Sequence, residues 1–205
     1  MKSKSDETRG LLLAAAMKEF LEKGFRSASL RSIAKNSNGT TGIIYTYFKN
    51  KNEIFEILVS PVVFQFEKRL ATEEISIKEA LEGKEMSPKE WFTKNLRFLL
   101  RLLEKYPDEM KLLFLKSEGS SFETYKDFVI ENGTRRSTAI FRTLNRSKAF
   151  KGQELSEFFI LNLVKFVLNI VVEAMKQNKG SKDIVIYEEE ITSFLFSGWK
   201  ALVEF

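Results

Sequence analysis

An all-α fold, with a small three-helix head at the N-terminus and a larger helical body behind it, follows from three observations. Apolar residues recur at helical spacing along most of the 205 residues, and no run alternates strictly enough to propose a sheet. Proline, which breaks helix interiors, occurs only three times. Charge and aromatic content divide the chain unevenly: the first 51 residues hold 10 Lys/Arg against 4 Asp/Glu, but only 3 of the 19 Phe. A basic head on a near-neutral, Phe-rich body implies two tasks in one chain.

Composition removes most chemistries. The chain has neither Cys nor His, which excludes disulfides, Cys/His zinc sites, thiolate catalysis and Ser-His-Asp triads. Carboxylate catalysis would need a recognisable acidic pair, and none is found. An enzyme is therefore not expected, nor a metal or cofactor. The opening MKSKSDETRG lacks the long apolar run of a signal peptide. The most apolar stretch, Phe158 to Val172, is interrupted by Asn162, Lys165 and Asn169 and falls short of the roughly 20 residues needed to span a bilayer. A soluble, cytoplasmic protein without membrane partners is expected.

The elements follow in order. Residues 8 to 23 place Leu12, Ala16 and Phe20 on one face, with Leu13 and Met17 beside them, while Lys18, Glu19, Glu22 and Lys23 fall largely elsewhere. Gly24 suits the left-handed residue that closes a helix. A short second helix, Leu30 to Ser37, has Ser29 as its N-cap. Asn38-Gly39 is a turn, and Thr40 caps a third helix ending near Phe48. A long helix is expected from about Asn52 to Leu70, with Pro61 kinking or splitting it. Residues 71 to 86 read as a connector. Ser87-Pro88-Lys89-Glu90 then combines an N-cap, a first-turn proline and a capping-box Glu, starting a helix to about Lys105. Pro107 opens another, and Glu118 to Ser121 breaks before a helix of about 122 to 145. Residues 154 to 177 are apolar almost all round, with a narrow stripe of Asn162, Lys165, Asn169 and Glu173. The last helix, about 184 to 203, carries Ile191, Phe194, Leu195, Trp199 and Leu202.

Residues 29 to 55 read as a helix-turn-helix. A short helix laid in a major groove needs a small polar first turn, one small residue for close approach, and flanking cations for phosphates. Thr40 and Thr41 supply the first, and Gly42 the second. Tyr45, Thr46 and Tyr47 project from the helix while Ile43, Ile44 and Phe48 turn inward; Lys49 and Lys51 lie at its end, and Arg31 points toward the same backbone. The same spacing also suits a plain three-helix packing unit, so the pattern alone leaves both readings open.

From about Arg9 to Leu58 the chain resembles the DNA-binding domain of TetR/AcrR-family transcriptional regulators. The family order is an Ala/Phe first helix closed by Gly and an aromatic, then Thr-x-x-x-Ile-Ala, a turn, Gly-x-Leu-Tyr-x-Tyr/His-Phe and Lys-x-x-Leu. Those places hold Ala16, Phe20, Gly24-Phe25, Ser29, Ile33-Ala34, Gly42, Ile44-Tyr45, Tyr47-Phe48, Lys51 and Ile54. Asn38 replaces the usual turn Gly, and Gly39 the apolar residue after it. The resemblance implies an N-terminal DNA-binding domain of residues 1 to 51. A C-terminal ligand-binding and dimerisation domain of residues 52 to 205 follows, with helix four, about 52 to 70, as connector. It places Thr40, Thr41, Gly42, Tyr45, Thr46 and Tyr47 against operator DNA, Lys51 on phosphate, and Ser29 and Arg31 nearby.

The same resemblance implies a homodimer, most simply a repressor released from its operator by a small, largely hydrophobic ligand. A ligand-independent regulator, an activator, or a hydrophobe-binding protein that has lost its DNA affinity would share these motifs. Candidate pocket residues are Trp91, Phe92, Leu96, Leu99, Phe114, Phe122, Tyr125, Phe128, Phe141 and Phe166, although aromatics at helical spacing are more often core. Glu118, Glu123 and Glu131 would answer a cationic ligand, and Arg135 or Arg136 an anionic one. The nearly all-apolar helix at 154 to 177 and the last helix should pair with their two-fold mates in a four-helix bundle, through Phe159, Leu163, Phe194, Leu195 and Trp199.

Overall fold

Nine helices account for almost all of the described chain. The computed structural model describes residues 4–81, 88–146, 151–152 and 154–204. The helices are α1 (Lys4–Ser27), α2 (Leu30–Asn36), α3 (Thr41–Tyr47), α4 (Lys51–Leu81), α5 (Pro88–Lys105), α6 (Pro107–Leu115), α7 (Tyr125–Arg146), α8 (Glu157–Lys176) and α9 (Ser181–Leu202). A two-residue antiparallel bridge, Lys151–Gly152 with Val203–Glu204, is the remaining regular element among the described residues. Ser87, expected to cap α5, lies outside the described residues.

Local chemistry explains the boundaries. Gly24, at φ 75°, breaks α1 where its sequence position predicts, and a last turn carries Phe25 into the core. Ser29 caps α2 by accepting from the Ser32 N–H. Asn38 takes the turn at φ 58°, standing in for glycine. Ser156 caps α8 by accepting from the Phe159 N–H. Helix α4 neither splits nor stops near residue 70; it continues through Pro61 to Leu81. Pro61 has no N–H for the carbonyl of Ile57, and the Ser60 hydroxyl donates to that oxygen instead, at 2.8 Å.

The chain forms two compact units whose boundaries differ from a cut after residue 51. One comprises residues 1–65 and 106–126, the other 66–105 and 127–205. The first unit therefore contains α6 and the segment after it as well as the three N-terminal helices. Phe20, Phe25 and Phe55 form its aromatic centre, with ring centroids 5.2 to 5.8 Å apart. Met110, Leu112 and Leu113 of α6 are buried in it.

The second unit packs α5 against α8 and α9. Arg97 of α5 pairs with Glu188 of α9. By length and composition α8 would suffice to cross a bilayer. Its Ile160, Val167, Leu168, Val171, Val172 and Met175 are buried in this unit, as in the central helix of a bundle. The polar stripe Asn162, Lys165, Asn169 and Glu173 lies away from that buried face, as its spacing predicts.

Candidate nucleic-acid interface

The head is built so that α3 buries one face and offers the other. Ile44 and Phe48 are buried, as are Ile33 and Ala34 of α2, which packs against α3, whereas Tyr45 is 58% exposed. Thr40, Gly42 and Thr46 are exposed, and Thr41 and Tyr47 are half-buried. Thr40 occupies the cap position of α3, but its hydroxyl makes no capping bond there. Thr46 returns its hydroxyl weakly to the Gly42 carbonyl at 3.4 Å. Ser29 and Arg31, at the start of α2, are both exposed.

The two departures from the family order at the turn have a packing reason. A Cβ on Gly39 would lie 2.9 Å from Ile43 Cγ2, closer than such contacts occur, so Ile43 fills the place of the missing apolar residue. At Gly42 the space is open, with Thr40 Oγ1 at 3.8 Å the nearest atom and no positive φ. Nothing inside the protein requires glycine there.

Lys51 has partners inside the protein. The family order puts its ammonium on a DNA phosphate; in the DNA-free chain it closes the end of α1. It donates to the carbonyls of Phe25 at 2.7 Å, Ala28 at 3.1 Å and Arg26 at 3.3 Å, and sits 4.5 Å above the Phe25 ring. Three carbonyls use all three ammonium protons. Burial pushes its pKa below the ordinary lysine value. Lys49 is exposed, and Arg9 lies over the Phe48 ring at 5.5 Å.

Glu19 also corrects the sequence reading, which puts it away from the core. Its side chain is 2% exposed. It accepts from Lys23 Nζ at 2.8 Å, Ser32 Oγ at 2.7 Å and the Ser29 N–H at 3.1 Å. Burial acts to raise its pKa, but these bonds and the Lys23 charge outweigh it and hold the carboxyl below its ordinary value. A buried carboxylate thus ties α1 to the first turn of α2, whose Ser29 and Arg31 stand at the candidate interface.

The segment after α6 is fastened to the same unit. Arg26 pairs with Glu118 at 2.7 Å and approaches Glu123 at 3.9 Å. Asn52 accepts the Ser121 N–H at 2.9 Å and donates to Ser121 Oγ at 2.9 Å. Glu118 and Glu123 therefore face Arg26 rather than a cationic ligand. Phe122 packs near Phe55 and Tyr125, and Tyr125 packs on Phe114. These three aromatics, expected in the pocket, belong to the packing of the first unit.

The second unit holds a cavity of about 90 Å³ that is partly open to solvent. Helix α4 lines it with Phe66, Arg69 and Leu70, and α5 with Asn95, Phe98 and Leu99. Helix α7 contributes Phe128, Val129, Asn132, Gly133, Arg136 and Ser137, and α8 contributes Leu163, Val164, Val167 and Leu168. Of the expected pocket residues only Leu99 and Phe128 are here; Leu96 and Phe141 are buried elsewhere and Phe166 is 41% exposed. The side chains of Trp91, Phe92 and Trp199 lie outside the described residues. Leu163, half-buried, lines the cavity, and Leu195 is buried. Phe159 and Phe194 are exposed, and Phe194 stands 6.2 Å from Phe166 between α9 and α8.

A helix-turn-helix head and a helical body define the class, and comparison with known proteins shows what each resembles. Residues 12–58 match the bacterial regulatory proteins of the tetR family. The HTH-type transcriptional regulator YdgC of Bacillus subtilis (strain 168) is 36% identical over 87 residues, covering 42% of this chain and 44% of the relative. The HTH-type transcriptional repressor BepR of Brucella suis biovar 1 (strain 1330) is 36% identical over 67 residues, 33% of this chain and 32% of the relative. The matched segments thus span less than half the length of these relatives.

Among solved structures, the fold is similar to NalD, the secondary repressor of the MexAB-OprM multidrug efflux pump in Pseudomonas aeruginosa. That match has a TM-score of 0.62 at 21% identity, covering 95% of this chain and 98% of that one. It is also similar to the Bacillus subtilis transcriptional regulator FadR in complex with stearoyl-CoA, with a TM-score of 0.58 at 19% identity, covering 93% and 98%. At these identities the likeness shows the fold. Residues 12–58 therefore match the tetR family, and the fold as a whole is similar to the solved regulators named above. The relatives named above are regulators, not enzymes.

Proposed function

We propose that the protein is a cytoplasmic, homodimeric transcriptional repressor that leaves operator DNA when a small hydrophobic ligand fills its body. The observation that carries this reading is the α3 surface. Tyr45, Thr46, Thr40 and the close-approach residue Gly42 stand outward over a fully buried Ile33–Ile44–Phe48 core, within the segment that matches the family. No side chain there is a bidentate guanine reader, so contacts to the DNA backbone and to groove shape carry much of the binding.

Two further observations support the remaining parts. Exposed Phe158, Phe159, Phe166 and Phe194 on α8 and α9 form an apolar surface suited to a two-fold mate. The cavity offers a ligand site, and α4 contributes both to it and, through Ile54, Phe55 and Val59, to the core of the head. Ligand binding would weaken operator affinity in so far as the ligand favours a state with poorly spaced heads.

The test is fluorescence anisotropy of the protein with DNA from immediately upstream of its own gene, with salt titrated and a Thr41→Ala/Tyr45→Ala variant alongside. Salt-sensitive, sequence-selective binding lost in the folded variant supports the reading. Equal, weak binding to scrambled DNA by both proteins, confirmed in a genome-wide selection of bound fragments, refutes it.

A further inference from the structure

We infer that α3 reads bases chiefly through the methyl groups of thymine, so that the operator positions under it are A·T pairs. This rests on the reading above that α3 lies in the major groove. Helix α3 is TGIIYTY, a run with no charged and no amide side chain. Guanine is read by Arg or Lys, adenine by the paired groups of Asn or Gln, and cytosine by a carboxylate. None of these stands on α3. Its outward side holds hydroxyls, a ring and methyls: Thr40, Tyr45 and Thr46 are exposed and Thr41 is half-buried. The base group such a surface suits is the thymine methyl, the one apolar group displayed in the groove. Arg9, Arg31 and Lys49 lie on or beside the neighbouring elements, where cations serve the phosphates. Asn50, the next amide along the chain, accepts the Glu53 N–H at 2.9 Å and so caps α4.

Two features of this face fit a methyl in particular. A Cβ at Gly42 would meet only Thr40 Oγ1, at 3.8 Å, so the glycine leaves room that the protein itself does not need. That room is the size of one methyl, set directly against the backbone. Thr46 lies one turn further along the same side of the helix. Its hydroxyl turns back to the Gly42 carbonyl at 3.4 Å, which leaves its Cγ2 methyl as the group free to meet a partner. Gly42 and Thr46 thus frame a notch for a base methyl, and Tyr45 beside them is 58% exposed. Burying one methyl there is worth about fourfold in affinity.

The experiment takes the full chain and the tightest duplexes it selects from a random pool, and reads affinity by fluorescence anisotropy. Each thymine is replaced in turn by deoxyuridine, which removes the methyl and keeps the hydrogen-bonding edges. A loss of about fourfold is expected at one or more thymines in each half-site. Placing cytosine there, paired with guanine, should weaken binding, and 5-methylcytosine should regain about fourfold. On the protein side, Gly42→Ala fills the notch, and Thr46→Ser removes the methyl while keeping the hydroxyl. In each variant the deoxyuridine loss at a shared thymine should vanish, because both changes remove one contact. Arg31→Met should lower affinity overall and leave that loss in place. Selective binding in which no deoxyuridine costs affinity would overturn the inference and leave the DNA-binding reading standing. A deoxyuridine loss that persists in full in both variants would also overturn it, since the methyls would then meet another element. Failure to select any sequence would remove the DNA-binding reading and this inference together. The deoxyuridine scan uses the unaltered chain, so a variant that fails to fold does not protect the inference.

Discussion

Glu19 Oε2 accepts a 2.7 Å hydrogen bond from Ser32 Oγ, thirteen residues further along the chain. Together with the Ser29 N–H this bond fixes the angle at which α2 leaves α1, and so the placement of the residues that would meet DNA.

That arrangement gives the head an acid-sensitive component. The Glu19 carboxyl titrates below its ordinary value, so its contribution is fully present above the unfolded value and is lost as pH falls through the folded one. Urea midpoints recorded downward from pH 6 should decline, and Glu19→Gln should flatten that decline. At pH 7 the same variant should cost roughly 1–3 kcal/mol, the usual worth of hydrogen bonds to a charged group.

Lys51 and Lys49 should separate stability from DNA affinity. Lys51→Met is expected to lower the melting temperature while leaving the salt slope of DNA binding unchanged, because its ammonium is held by the Phe25, Arg26 and Ala28 carbonyls. Lys49→Met or Arg31→Met should do the opposite, reducing the slope by about 0.9 for each phosphate no longer neutralised. A lowered slope in Lys51→Met would show its ammonium on DNA.

Two glycines close together in sequence should behave oppositely. Gly39→Ala forces Cβ onto Ile43 Cγ2 and should destabilise by roughly 1–3 kcal/mol, as overpacking does. Gly42→Ala meets only Thr40 Oγ1, so it should leave stability equal or raise it by up to about 1 kcal/mol. Operator binding should nevertheless weaken, if the backbone at 42 approaches DNA. Chemical denaturation and anisotropy on both proteins distinguish the two effects.

The apolar surface on α8 and α9 should govern assembly. Phe194 is 68% exposed, so Phe194→Glu costs little in its own unit and should convert a dimer into monomers in light scattering. Equal dimerisation in the variant and the wild type would place the interface elsewhere.

Much of this was legible in the sequence, because local rules are written locally. Gly24, the Asn38 turn and the Ser29 cap follow from the backbone preferences of single residues. The inward face of α3 follows from its period. What failed were long-range pairings. Glu19 meets Ser29 and Ser32, and Lys51 meets three carbonyls more than twenty residues away. Phe114, Phe122 and Tyr125 share the composition of pocket aromatics, and only tertiary packing reveals that they join Phe55 instead.

The attachment of α6 and residues 116–126 to the N-terminal helices bears on how such proteins diversify. A gene crossover just after residue 51 would keep the reading surface intact yet discard the acidic partners of Arg26, the carbonyl of Lys116 that accepts the Phe25 N–H, and Phe55, which packs on Phe20 and Phe25. Heads of this design are not exchangeable by a single cut. A viable hybrid must inherit two separate stretches of sequence from the same parent, or acquire compensating changes where they meet. Recombination is therefore constrained most at a boundary that the linear sequence makes look free.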